Sequence, residues 1–182
     1  MKIIVDCDNV VADLVGGVCS LVNEYRSTAN EWNWFMNYPE PKASKVREAM
    51  KSPGFWAELP LIEDSEKGIA WLRGNGHQLL WVTVPFPYCN QWVEARESWL
   101  IRNFRVDKHN EPIITVSNAE KYHIEADVII DDMPRIIDEY SARRPEAKTC
   151  LFWSELNQNL NREMVNWEDI MSDASFLYGR AL

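Results

Sequence analysis

The chain alternates short, mostly apolar runs with longer stretches whose apolar residues recur every three to four positions. The short runs cover residues 3–6, 78–83, 112–116, 126–130 and 148–152. Each is too compact for a helix and reads as a strand buried on both faces. The periodic stretches predict helices over 17–26, 42–51, 64–73, 88–104, 134–141 and, near the end, 167–172. Ser52-Pro53-Gly54 and Gly74-Asn75-Gly76 read as stops, and Pro134 takes the first-turn position that proline favours. The aromatic, proline-bounded stretch 31–41 follows neither period.

Strands alternating with helices predict an α/β, Rossmann-like, mostly parallel sheet of about five strands, covered on both faces. Such sheets bind ligands beyond the carboxyl ends of their strands, where strand order reverses. The span from residue 14 to residue 74 is too long for one crossover.

Composition narrows the functional classes. The 182 residues carry 28 acids against 19 Lys and Arg, a formal charge of −9. That excess disfavours a nucleic-acid polymer or an anionic membrane surface as partner. Apolar residues make up 46% of the chain, enough for a real core despite the charge. The four cysteines form no CxxC pair and no zinc spacing, and read as free thiols in a reducing compartment. With no signal peptide and no membrane-length apolar run, a soluble, cytoplasmic protein is expected. Nine tryptophans are many for this length, most of them packing residues, with some free to line a pocket. No pattern bears on oligomeric state.

The strand ends carry the candidate chemistry. Strand one runs into Asp6-Cys7-Asp8-Asn9, strand two ends at Thr83, Lys121 precedes strand four, and strand four runs into Asp131-Asp132. Each alone has an ordinary reading: a surface DxD, a strand-end threonine, a solvated lysine, a helix N-cap. A calcium loop is excluded, because Val10 and Val11 stand where a ligand and a glycine are needed. Together, four carboxylates at one sheet edge repel unless a divalent cation joins them, and an oxygen-rich site suits Mg²⁺.

In order and spacing these motifs resemble the haloacid dehalogenase-like phosphohydrolases, and among them the 5′(3′)-deoxyribonucleotidases of cytosolic and mitochondrial type. Asp6-Cys7-Asp8-Asn9-Val10-Val11-Ala12-Asp13 is similar to that family's opening DxDGVLAD motif. Gly54-Phe55-Trp56-Ala57-Glu58-Leu59-Pro60 resembles the close of its cap insertion, Val82-Thr83-Val84-Pro85 its Thr-Ser-Pro turn, and Leu156-Asn157-Gln158 its stretch after the last strand. The resemblance implies a core of residues 1–13 and 75–182 with a small helical cap over 14–74. It also implies a Mg²⁺-dependent phosphomonoesterase acting on nucleoside monophosphates or another small phosphate ester. Asp6 would be the nucleophile and Asp8 the general acid and base. Thr83, the backbone at Val84 and Lys121 would hold phosphate. Asp6, Asp8 through its carbonyl, Asp131 and Asp132 would hold the metal, with Asp132 favoured as the direct ligand. Cap aromatics Trp32, Trp34, Phe35, Phe55 and Trp56 are candidates to stack on a base, Trp34 first. The chain departs from the family at Asn9, Leu14, Met50, Val84, Arg96 and Met133. Leu14, Met50 and Arg96 fall where substrate is held, so chemistry is expected to survive while substrate preference stays open. A nucleotide-binding module without turnover is the alternative of a different class.

Overall fold

A computed structural model describes residues 1–117 and 120–172; residues 173–182 of the expected core lie outside the described residues. Strands β1 (Lys2–Val5), β2 (Gln78–Thr83), β3 (Ile113–Thr115), β4 (Val128–Asp131) and β5 (Lys148–Leu151) form one sheet in the order β3-β2-β1-β4-β5. Every adjacent pair is parallel. The described helices are α1 (Leu14–Val22), α2 (Lys42–Met50), α3 (Pro53–Ala57), α4 (Ser65–Gly74), α5 (Trp92–Phe104), α6 (Pro134–Arg143) and α7 (Trp167–Ser172).

Alternation along the strands feeds two layers. Ile3, Val5, Leu79, Trp81, Val128 and Ile130 pack with Ile69 and Leu72 of α4, Trp99 of α5 and Trp167 of α7. Ile4, Leu80, Val82, Ile129 and Leu151 pack on Ile136, Ile137 and Tyr140 of α6. Burial on both faces is why these strands read as unbroken apolar runs.

Between β1 and α4 the chain leaves the sheet through a narrow neck. Asp13 N–H donates to the Pro60 carbonyl (2.8 Å) and Ile62 N–H to the Val11 carbonyl (2.9 Å), so the outgoing and returning segments pair antiparallel. Arg26, beyond the neck, bonds back to Asp13 and to Glu155 of the core, each at 2.5 Å.

Several boundaries differ from the sequence pattern for identifiable reasons. α1 starts at Leu14 rather than 17, because Asp13 accepts from Gly16 N–H (2.8 Å), and it ends at left-handed Asn23. Gly16 and Gly17 mask that start, yet a Cβ on Gly17 would sit 2.5 Å from Leu59 of the neck. Pro53 closes one helix and opens another, the short α3. α5 starts at Trp92 rather than 88, the residues before it being taken up in turns. Stretch 31–41 holds a single 3₁₀ turn, Trp34–Asn37. The four cysteines are buried. Among the described residues no helix is long and apolar enough to cross a membrane.

Candidate active site

Strand order reverses at β1, which has β2 on one side and β4 on the other. Register pairs Val5 with Ile130 and the ladder runs one bond further, from Asp6 N–H to the Ile130 carbonyl (3.0 Å). Asp6 therefore sits level with Asp131, the last residue of β4. The chain then wraps around one carbonyl: Cys7 O accepts from Val10, Val11 and Ala12 N–H at 3.4, 3.0 and 2.8 Å. This turn, rather than a continued strand, delivers Asp8. Asn9 takes the left-handed conformation (φ 56°) where the family has glycine. Trp167 braces the turn from behind, its Nε1 donating to the Val10 carbonyl (2.8 Å), and Gly68 leaves room for that indole.

Lys121, 2% exposed, lies at the centre. Its Nζ is 2.7 Å from Asp6 Oδ1 and 2.7 Å from Asp131 Oδ2. Burial alone would lower its pKa, but the two carboxylates overcome that and hold it above the ordinary lysine range. Asp131 is fully engaged, since its Oδ1 also accepts from Met133 N–H (2.9 Å). Asp132 differs: its Oδ2 is buried without a hydrogen-bond partner. Burial, with Asp131 and Asp6 nearby, pushes its pKa well up, against a bond from Asn9. Asp131 is also raised by burial, partly offset by Lys121. Asp8 is raised by burial, partly offset by Arg96. Burial lifts the Cys7 thiol to about 12, so it stays protonated and offers no competing nucleophile.

Oxygens of Asp6, Asp131 and Asp132 lie within 4.8 Å of one another. An all-carboxylate donor set with one orphaned oxygen fits a hard divalent cation. The charge balance points the same way: four carboxylates face two cations, Lys121 and Arg96, before any anionic substrate enters.

These groups line a cavity of about 330 Å³, in the range of small-molecule sites. Thr83 and Val84 line it at the end of β2, and Leu14, Trp32, Trp34, Phe35, Met50 and Trp56 line it beyond the neck. Trp34 is fixed by a bond from its Nε1 to Tyr38 Oη (3.0 Å). Phe55 is not in the lining and packs edge-on against Trp56. Arg96 is not in the lining either; it is buried behind the cavity and pairs with Asp8. The sequence reading did not find Asn9 as a partner of Asp132, nor Asn33 and Phe86 as wall residues. The proline-flanked Pro85-Phe86-Pro87 was a legible signal for Phe86, an aromatic displayed just past a strand end.

Comparison with known proteins agrees with this architecture. The model of the family described as 5′ nucleotidase, deoxy (pyrimidine), cytosolic type C protein matches residues 1–176. A Staphylococcus epidermidis protein named "Putative 5'(3')-deoxyribonucleotidase" is 25% identical over 177 residues, 93% of each chain. A D,D-heptose 1,7-bisphosphate phosphatase from Burkholderia thailandensis shares the fold at TM-score 0.53 and 11% identity, over 95% of this chain and 97% of that one. A hydrolase from Streptococcus pneumoniae does so at TM-score 0.55 and 16% identity, over 88% and 98%. With the sheet order, the carboxylate cluster and the match over nearly its full length, the chain belongs to the cytosolic type C 5′ nucleotidase family of haloacid dehalogenase-like phosphoric monoester hydrolases.

Proposed function

We propose that the protein hydrolyses nucleoside monophosphates, deoxyribonucleotides foremost, through a phosphoaspartate on Asp6. The observation that carries this reading is Lys121 joining Asp6 to Asp131 on the floor of a cavity whose far wall is apolar and aromatic. A phosphate would meet the charged floor and a flat base the aromatic wall.

Lys121 holds Asp6 Oδ1 and so fixes the orientation of the carboxylate that attacks phosphorus. Thr83 Oγ1 and the Val84 N–H would bind phosphoryl oxygens, without the further hydroxyl that a serine at position 84 would add. Asp8 would protonate the leaving oxygen and then take a proton from the water that cleaves the phosphoaspartate. Mg²⁺ would be held by Asp6, the Asp8 carbonyl and Asp132, with Asp131 kept in place by Lys121 and Met133 N–H. When bound it supplies positive charge for the substrate dianion and its transition state.

We place the cap at residues 14–59, ending at the neck rather than at 74, because Ile69 and Leu72 of α4 pack with the sheet. The cap supplies most of the base-facing wall, and stacking there is worth about 1–3 kcal/mol. A panel of deoxynucleoside, ribonucleoside and sugar phosphates, with and without Mg²⁺, tests the reading. Mg²⁺-dependent phosphate release favouring nucleotides is expected. An equal rate on sugar phosphates would refute the substrate assignment, and Mg²⁺-independent release the metal assignment.

A further inference from the structure

Arg96 has no place in the mechanism above, yet its setting is unusual. Its side chain is 0% exposed on α5, and Nη2 donates to Asp8 Oδ1. Among the described residues Nε and Nη1 find no hydrogen-bond partner. Instead the guanidinium carbon lies 5.2, 5.5 and 5.6 Å from the ring centroids of Trp92, Trp99 and Trp56. Two of those rings are themselves pinned: Trp99 Nε1 donates to the Leu59 carbonyl (2.8 Å) and Trp56 Nε1 to the Met50 carbonyl (2.7 Å). The cation is thus held by aromatic faces and spends its directional bonding on one carboxylate oxygen.

We propose that Arg96 is the positioning residue of Asp8, a caged guanidinium that fixes the carboxyl group so that its other oxygen faces the cavity. This rests on the phosphatase reading above. Asp8 lies at the start of the turn and its side chain is 24% exposed, so the turn alone leaves its rotamer free to swing. With Oδ1 tied to Arg96, Oδ2 remains to serve the reacting oxygen. As the bond from Asp6 to phosphorus forms and the bond from phosphorus to the leaving oxygen breaks, the Asp8 proton passes to that oxygen. The leaving group departs as a neutral alcohol and Asp8 is left as the carboxylate. Trp56 belongs to the cap, so the cage also ties the acid's position to a seated cap.

Proton donation matters for a poor leaving group and hardly at all for a good one. That separates a positioning role from mere core filling. Wild type, Arg96→Met, Asp8→Asn and the double variant are compared with Mg²⁺ on a deoxynucleoside 5′-monophosphate and on p-nitrophenyl phosphate. For Arg96→Met, kcat on the nucleotide falls about 100-fold or more, the scale of general-acid catalysis, with KM nearly unchanged. The first-turnover burst of nitrophenolate falls less than about tenfold on the same reasoning. In the Asp8→Asn background, Arg96→Met adds no further loss on the nucleotide. If Arg96→Met does not fold, Arg96→Lys keeps the charge without the planar stack and must show the same split in smaller measure. An equal fall on both substrates, no fall on either, or an additive loss in the double variant overturns the proposal. A wild-type enzyme that releases phosphate from neither substrate overturns instead the phosphatase reading beneath it.

Discussion

Replacing Lys121 by Met tests the buried charge arrangement without any assumption about turnover. The variant keeps much of the side chain's volume and removes a cation 2.7 Å from each of two carboxylates. Deleting one partner of a buried pair costs about 3–5 kcal/mol. The escape route sets a ceiling of similar size. Asp131 can take up a proton, which costs about 1.4 kcal/mol per pH unit between an ordinary aspartate pKa and the working pH, hence about 4 kcal/mol at neutrality. For a chain of this length that corresponds to a Tm lower by about 8–16 °C. Because a carboxylate with a raised pKa recovers stability as pH falls, the deficit shrinks to about 2 kcal/mol near pH 5.5. Urea denaturation of the metal-free proteins at the two pH values reads both numbers. A deficit under about 1 kcal/mol at neutral pH, or one that does not shrink on acidification, would refute the reasoning.

The other predictions concern the metal, the turn and the wall. Asp132 has a raised pKa, so protons compete with a cation for it; Mg²⁺ raises Tm more near pH 7.5 than near pH 5.5, and an equal shift contradicts the ligand set. Asn9→Gly keeps the left-handed backbone but loses the bond to Asp132, so half-saturating Mg²⁺ in the activity assay rises about 10-fold. Asn9→Ala also strains the turn, by about 1–2 kcal/mol in chemical denaturation. Phe86→Ala removes one face of the wall and raises KM for nucleotides about 5-fold or more, with little change in kcat.

The fold was legible because parallel strands are buried on both faces, which made residues such as Ile3, Leu80 and Ile129 stand out as apolar runs. The segment between β1 and α4 was less so. α3 has only five residues and opens on a proline that also reads as a stop. Gly16 and Gly17 hide the start of α1, although a Cβ at position 17 would press on the Leu59 side chain. Of the candidate site, Asp6, Asp8, Thr83, Val84, Lys121, Asp131 and Asp132 do converge, because register and sheet order bring together positions that the sequence only places at strand ends. Leu14, Trp34 and Met50 line the same cavity. Arg96, expected where substrate is held, does not; it is buried among Trp56, Trp92 and Trp99 and pairs with Asp8. The signal lay in spacing, since Trp92, Arg96 and Trp99 recur on one face of α5. Asn9 needed its backbone angle and its neighbour Asp132 to be seen as more than a substitute for glycine.

The central claim is a covalent intermediate on Asp6. Rapid acid quench of the Mg²⁺-loaded enzyme with a deoxynucleoside monophosphate, followed by peptide mass spectrometry, tests it directly. One phosphoryl group is expected on the peptide bearing Asp6, absent without Mg²⁺, with loss of both adduct and turnover in Asp6→Asn. Turnover that persists in Asp6→Asn, or a phosphoryl group carried by another residue, would contradict it.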